Sequence, residues 1–153
     1  GVGKTHLMLA VKNRIKEKFP EKRVEYVRCE DFTNQLINAI QTGTSDTFRN
    51  TYRNLDVLLI DDIQFIAGKE QTQEEFFNTF NALHQDNKQL VFTMDRPPKD
   101  VKTLDDRIRN RLEMGLFCEI LSKEHFIASF HHAGIIDIDI LYEKPGANAI
   151  IGQ

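Results

Sequence analysis

A chain of 153 residues, 41% hydrophobic and 28% charged, has the composition of one globular domain and enough apolar material for a core. Its net charge of −3 provides no global basic field, so any nucleic-acid contact must come from local geometry or from residues outside this sequence. No apolar run approaches the roughly 18 residues of a transmembrane helix. Cys29 and Cys118 lack ligand spacing and read as buried thiols of a reducing cytoplasm, and the five His residues show no metal pattern.

The chain opens with Gly1-Val2-Gly3-Lys4-Thr5-His6-Leu7. This is the closing half of a phosphate-binding loop, G-x-x-x-x-G-K-[ST], whose backbone N–H groups cradle phosphates. In such a loop the Lys reaches the β/γ-phosphates and the hydroxyl holds Mg²⁺. The first Gly of the pattern falls about three residues before Gly1, so the rest of the loop and the strand feeding it are expected upstream. Alone, Gly-Lys-Thr also occurs in surface turns and needs a second acidic motif.

Leu7, Ala10, Val11 and Ile15 recur at helical spacing, predicting a helix over 4–18 whose N-terminus faces phosphate; Pro20 lies past its end. Val24 to Cys29 alternates like a strand. Phe32, Leu36, Ile37 and Ile40 predict a helix capped by Asp31 or Glu30. After a turn at Thr42-Gly43-Thr44-Ser45, Phe48, Tyr52 and Leu55 mark a further helix.

Val57-Leu58-Leu59-Ile60 is then an apolar run of the kind that forms a buried parallel strand, and it ends at Asp61-Asp62. Carboxylates at the C-terminal end of a central strand face the crevice where ligands of open α/β sheets bind. An isolated Ile-Asp-Asp could equally be a solvated turn. With Gly-Lys-Thr at the head of the same chain, the functional reading prevails: Asp61 in the Mg²⁺ shell, Asp62 polarising the attacking water.

A long helix is predicted over about 70–86, with Phe76, Phe77, Phe80 and Leu83 on its inner face as core rather than as a base-stacking platform. Leu90 to Thr93 reads as a strand ending at Met94-Asp95-Arg96, and Pro97-Pro98 stop regular structure. Residues 104–112 read as a helix, 116–121 as a last strand and 122–133 as a helix. The alternation of helices and strands predicts a parallel α/β sheet. In the tail, 135–140 alternates like a strand, Lys144-Pro145-Gly146 signals a turn, and an apolar stretch runs to Gln153.

Three strings now identify a resemblance: Gly-Val-Gly-Lys-Thr-His-Leu at the start, Leu59-Ile60-Asp61-Asp62-Ile63-Gln64-Phe65, and Glu74-Glu75-Phe76-Phe77-Asn78-Thr79-Phe80-Asn81. Thr93-Met94-Asp95-Arg96-Pro97-Pro98-Lys99 and Asp106-Arg107-Ile108-Arg109-Asn110-Arg111-Leu112 extend it. Together they resemble the AAA+ domain of the bacterial chromosomal replication initiators, the DnaA family, over residues 1 to about 120. The resemblance implies a parallel-sheet P-loop NTPase core of AAA+ type at 1–120, followed at 121–153 by the start of a small α-helical lid.

It also implies roles. Gly1, Gly3, Lys4, Thr5 and His6 would bind ATP as Walker A; Thr5 and Asp61 would hold Mg²⁺; Asp62 completes Walker B. Asp95 resembles the family's sensor 1 residue, and Arg111 its arginine finger, reaching ATP on a neighbouring subunit. Arg107, one helical turn earlier, would join the same interface. Without the family match, Arg107, Arg109 and Arg111 would read as a solvated helix face paired with Asp105 and Asp106. Ile37 and Lys69 fall where the family grips single-stranded origin DNA, although periodicity alone places Ile37 in the core. Gln71 stands where members often carry a basic residue, and Met94 where a small hydroxyl residue is usual. The sensor 2 arginine and the helix-turn-helix domain that reads duplex origin boxes are expected past Gln153.

The function implied is a cytoplasmic, ATP-binding and slowly ATP-hydrolysing initiator that oligomerises on origin DNA and opens the duplex. Its implied partners are origin DNA, further copies of itself, the replicative helicase and its loader, and acidic phospholipids. The alternative is a related AAA+ helicase loader or regulator of the initiator; a helix-turn-helix beyond Gln153 would separate the two.

Overall fold

The computed structural model describes residues 4–118 and 149–152. In chain order these form α1 (Lys4–Lys18), β1 (Val24–Arg28), α2 (Cys29–Gln41), α3 (Ser45–Arg53), β2 (Val57–Asp61), a 3₁₀ turn (Ile63–Ile66) and α4 (Glu70–Gln85). They continue with β3 (Gln89–Phe92), a second 3₁₀ turn (Pro98–Asp100), α5 (Asp106–Glu113), β4 (Leu116–Cys118) and β5 (Ala149–Gly152). The strands form one sheet in the order β1-β2-β3-β5-β4. β1, β2 and β3 are parallel, as helical crossovers require.

Every residue of β2 is buried, because the strand is covered on both faces. Val57 and Leu59 join Val24 and Val91 against Met8 and Val11 of α1. Leu58 and Ile60 face the other way with Leu90 and Phe92, into a larger core lined by α2, α3, α4 and α5. There Phe76 and Phe80 of α4 lie 5.5 and 6.0 Å from the Phe92 ring, while Phe32, Phe48 and Tyr52 form a three-ring cluster. Each such side chain contributes about 1.5–3 kcal/mol by leaving water. This two-sided packing fixes the height of β2 between its neighbours, and so fixes where Asp61 emerges.

Among the described residues the expected elements are present with shifted edges. α2 starts at Cys29 without a side-chain cap, and Asp31 instead takes a salt bridge from Arg28 at 2.9 Å. Its inner face is Phe32, Leu36 and Ala39, not Ile37 and Ile40, which are 44% and 40% exposed. Gly43, at φ +68°, makes the turn between α2 and α3 in a conformation that suits glycine. β3 ends at Phe92, so Thr93 lies just past the strand. Neither 3₁₀ turn carries a periodicity long enough to be legible in sequence.

The expected parallel sheet is present in β1, β2 and β3, and its far edge adds an antiparallel strand: β5 lies between β3 and β4 and runs antiparallel to both. Its residues, Ala149–Gly152, belong to the apolar tail, whose strand character a short run of this kind does not distinguish from buried helix. The predicted helix at 122–133, the alternating segment at 135–140 and the remainder of the expected lid lie outside the described residues.

Candidate functional site

The C-terminal ends of the parallel strands bring the two halves of the sequence pattern together. Lys4, the first residue of α1, is nearly buried; its Nζ donates to the Met94 carbonyl at 2.9 Å and lies 3.7 Å from Asp62 Oδ1. Thr5 Oγ1 donates to Asp61 Oδ2 at 2.6 Å. These contacts join α1 to the ends of β2 and β3, elements far apart in sequence.

Asp61 is 1% exposed, a position an ionised carboxylate occupies only when hydrogen bonded. Besides Thr5 it accepts from the Tyr26 hydroxyl at 3.0 Å and from the Thr93 hydroxyl. Burial, followed by the hydrogen bond to this anion, pushes the Tyr26 phenol up to about 12, so Tyr26 remains a donor throughout the physiological range. The register that pairs Val27 with Ile60 and Arg28 with Asp61 carries β1 alongside this end of β2.

Asp62 leaves the strand in the left-handed region, φ 59° and ψ 53°, where a non-glycine residue is strained. The strain is held by hydrogen bonds. Asp62 N–H donates to Thr93 Oγ1 at 2.8 Å, and Ile63 N–H donates to the Thr93 carbonyl at 2.9 Å. The sharp turn lets Asp61 stay buried while the Asp62 side chain remains 36% exposed in the crevice. Gln64 Nε2 donates to Asp62 Oδ1 at 3.3 Å, and Gln64 Oε1 is buried without a partner among the described residues.

Asp95 stands just beyond β3, next to the carbonyl that holds Lys4. Arg96 grips it with two hydrogen bonds, of 3.0 and 2.9 Å, and that contact holds the Asp95 carboxyl below the usual carboxylate range. Met94 is a buried core side chain.

The three arginines of α5 have separate environments. The Arg107 guanidinium lies 4.6 Å above the Phe77 ring and bonds Asp105 and Glu74 at the surface. Arg109 turns inward, donating to the carbonyls of Pro98, Val101 and Leu104 as well as to Asp106. Arg111 is half-buried, with Nε on Asn81 Oδ1 at 3.1 Å and its guanidinium 5.9 Å from Phe77. The pairing expected of a plain charged helix face thus holds for Arg107 and Arg109 but not for Arg111, which faces no carboxylate among its described partners.

Of the other candidates, His6 is exposed on the first turn of α1 and Lys69 is exposed at the N-terminal end of α4. Ile37 is exposed rather than core, so a free apolar side chain stands on α2. Gly1 and Gly3 lie outside the described residues. Tyr26 and Thr93 were not singled out from the sequence: a strand Tyr and a strand-end Thr match ordinary β preference and carry no spacing signal.

The residues fit nucleotide with a divalent cation. The compact Lys4 ammonium suits a phosphate oxygen. Thr5 Oγ1 and Asp61 Oδ2 form a hard-oxygen pair of the kind that would hold Mg²⁺ together with phosphate oxygens and water. No cluster of three His, Cys, Asp or Glu able to hold a metal by itself occurs among the described residues.

Comparison with known proteins identifies relatives of this chain. Residues 1–119 match the family described as the bacterial DnaA ATPase domain. The chain is 60% identical over 125 residues to the chromosomal replication initiator protein DnaA of Deinococcus radiodurans, covering 82% of this chain and 27% of that protein. It therefore spans about a quarter of the length of the curated relatives it matches. Among solved structures, the AMPPCP-bound DnaA of Aquifex aeolicus superposes with a TM-score of 0.75 at 35% identity, over 95% of this chain and 48% of that one. A replication initiator DnaA bound to AMPPCP and single-stranded DNA gives 0.73 at 35% identity, over 94% and 47%. The chain belongs to the bacterial DnaA ATPase-domain family.

Proposed function

We propose that this chain is the nucleotide-switched part of a cytoplasmic initiator of chromosomal replication, binding and slowly hydrolysing ATP with Mg²⁺ and assembling on origin DNA. The observation that carries the reading is the convergence of Lys4 and Thr5 on Asp62 and Asp61 at one end of the parallel strands. The relatives bound to AMPPCP, an analogue of ATP, support it.

In this reading Gly1, Gly3, Lys4, Thr5 and His6 surround the nucleotide. Thr5 and Asp61 would hold Mg²⁺, which when bound neutralises charge on the β- and γ-phosphates. Asp62, exposed to the crevice, orients and polarises the attacking water. Asp95 senses the terminal phosphate, and its release from Arg96 frees it to do so. Arg107 and Arg111 serve the face toward a neighbouring copy, with Arg111 leaving Asn81 to reach that neighbour's nucleotide. Ile37 and Lys69, both exposed, contact single-stranded DNA, in keeping with the relative bound to such DNA. The larger partners are duplex origin DNA through a further domain, the replicative helicase and its loader, and acidic phospholipids. Residues 1–120 act as the AAA+ core and 121–153 as the approach to its lid.

The test is native mass spectrometry of the full-length protein on origin DNA, with ATP against ADP. ATP-dependent oligomers with strand opening support the initiator. ATP binding without origin binding would favour a helicase loader or regulator instead.

A further inference from the structure

We propose that Thr93 is a positioning residue that sets both carboxylates of the site through a single hydroxyl; the inference rests on the nucleotide-binding role proposed above. Thr93 is fully buried and lies just past the end of β3. Its backbone and side chain meet four consecutive residues at the end of β2. Thr93 N–H donates to the Ile60 carbonyl at 3.1 Å, and Oγ1 donates to Asp61 Oδ1. Asp62 N–H donates to Oγ1 at 2.8 Å, and Ile63 N–H donates to the Thr93 carbonyl at 2.9 Å.

A threonine hydroxyl has one proton and two lone pairs, so it can donate to Asp61 and accept from Asp62 at once. The two bonds do different work. Donation to Oδ1 occupies the Asp61 oxygen remote from Thr5 and leaves Oδ2 as the oxygen turned toward the Thr5 hydroxyl. Acceptance from the Asp62 amide anchors the left-handed peptide that carries the Asp62 carboxylate into the crevice. The backbone bonds of Thr93 would survive any side chain, but the hydroxyl bonds would not. Valine, which has the same branched shape, therefore isolates the hydroxyl; serine keeps it.

The experiment compares Thr93→Val and Thr93→Ser with the parent in the full-length protein. It measures ATP affinity with and without Mg²⁺ by equilibrium dialysis, and exchange of the Asp62 amide proton by NMR in nucleotide-free protein. Thr93→Val is expected to reduce the gain in ATP affinity conferred by Mg²⁺ about tenfold and to speed Asp62 amide exchange, with metal-free ATP affinity and fold unchanged. Thr93→Ser should restore both. Parental behaviour of Thr93→Val overturns the proposal, as does equal damage from valine and serine, or an equal loss of affinity with and without metal, which would mark a packing role. A parent protein that binds no ATP would instead defeat the nucleotide reading itself, and one that gains no ATP affinity from Mg²⁺ would defeat the metal role on which this inference rests.

Discussion

Lys4 and Met94 are joined by a hydrogen bond of 2.9 Å, from the ammonium at the start of α1 to the carbonyl immediately before Asp95. A cation buried at a helix N-terminus, where the helix dipole opposes it, requires strong compensation. The Met94 carbonyl and the nearby Asp62 carboxylate supply it, and on the proposed role the same ammonium meets the nucleotide's phosphate.

Lys4→Ala should therefore abolish detectable ATP binding in the full-length protein, with a loss of at least roughly tenfold from the missing charge-assisted contact. Equilibrium dialysis checks this; unchanged affinity would remove Lys4 from the site.

Asp61 and Asp62 should separate on mutation, since one is buried among three hydroxyls and the other stands in the crevice. Asp62→Asn should leave ATP binding nearly intact and slow hydrolysis by about 10²–10⁴-fold, the usual worth of a general base. Asp61→Asn should weaken Mg²⁺-dependent binding first. Single-turnover hydrolysis alongside nucleotide titration distinguishes them, and two mutants hydrolysing at the parental rate would reduce the acidic pair to a turn.

On the proposed role, in which its side chain serves a neighbour's nucleotide, Arg111→Ala should retain ATP affinity and lose ATP-dependent assembly on origin DNA. Removing one charge-assisted phosphate contact costs about 1.5–3 kcal/mol per interface, or about ten- to hundredfold. Light scattering with ATP against ADP reads the effect. Assembly at the parental level would leave Arg111 as no more than a partner of Asn81.

The pH dependence of folding should have an acid limb from Asp56. Its carboxylate accepts the Arg23 N–H at 2.8 Å and the Lys88 ammonium at 2.9 Å, which lower its pKa from 3.8 to about 2. Because the folded value lies below the unfolded one, the stabilisation is complete above about pH 4 and disappears as pH falls through about 2. Denaturant midpoints measured over that window should fall with acid, and more shallowly in Asp56→Asn.

Much of this architecture was legible because burial leaves a period. Val57 to Ile60 reads as a strand covered on both faces, and Asp61 follows it to the ligand edge. α4 is equally plain from Phe76, Phe80 and Leu83. Periodicity misled at Ile37 and Ile40, since α2 has more apolar residues than its buried stripe can accept. Thr93 and Tyr26 were silent for a different reason: their importance lies in contacts with Asp61, made across the sheet, that no spacing along the chain encodes. β5 was missed because an apolar run of four residues does not distinguish a strand from a buried helix.

Arg109 gives α5 a mechanical property that its two neighbours do not. By binding the carbonyls of Pro98, Val101 and Leu104, it fastens the helix to the segment that begins at Asp95. One side chain thereby ties the helix that carries Arg111 to three successive points of the stretch that follows Asp95, so the loss of Arg109 would part the two.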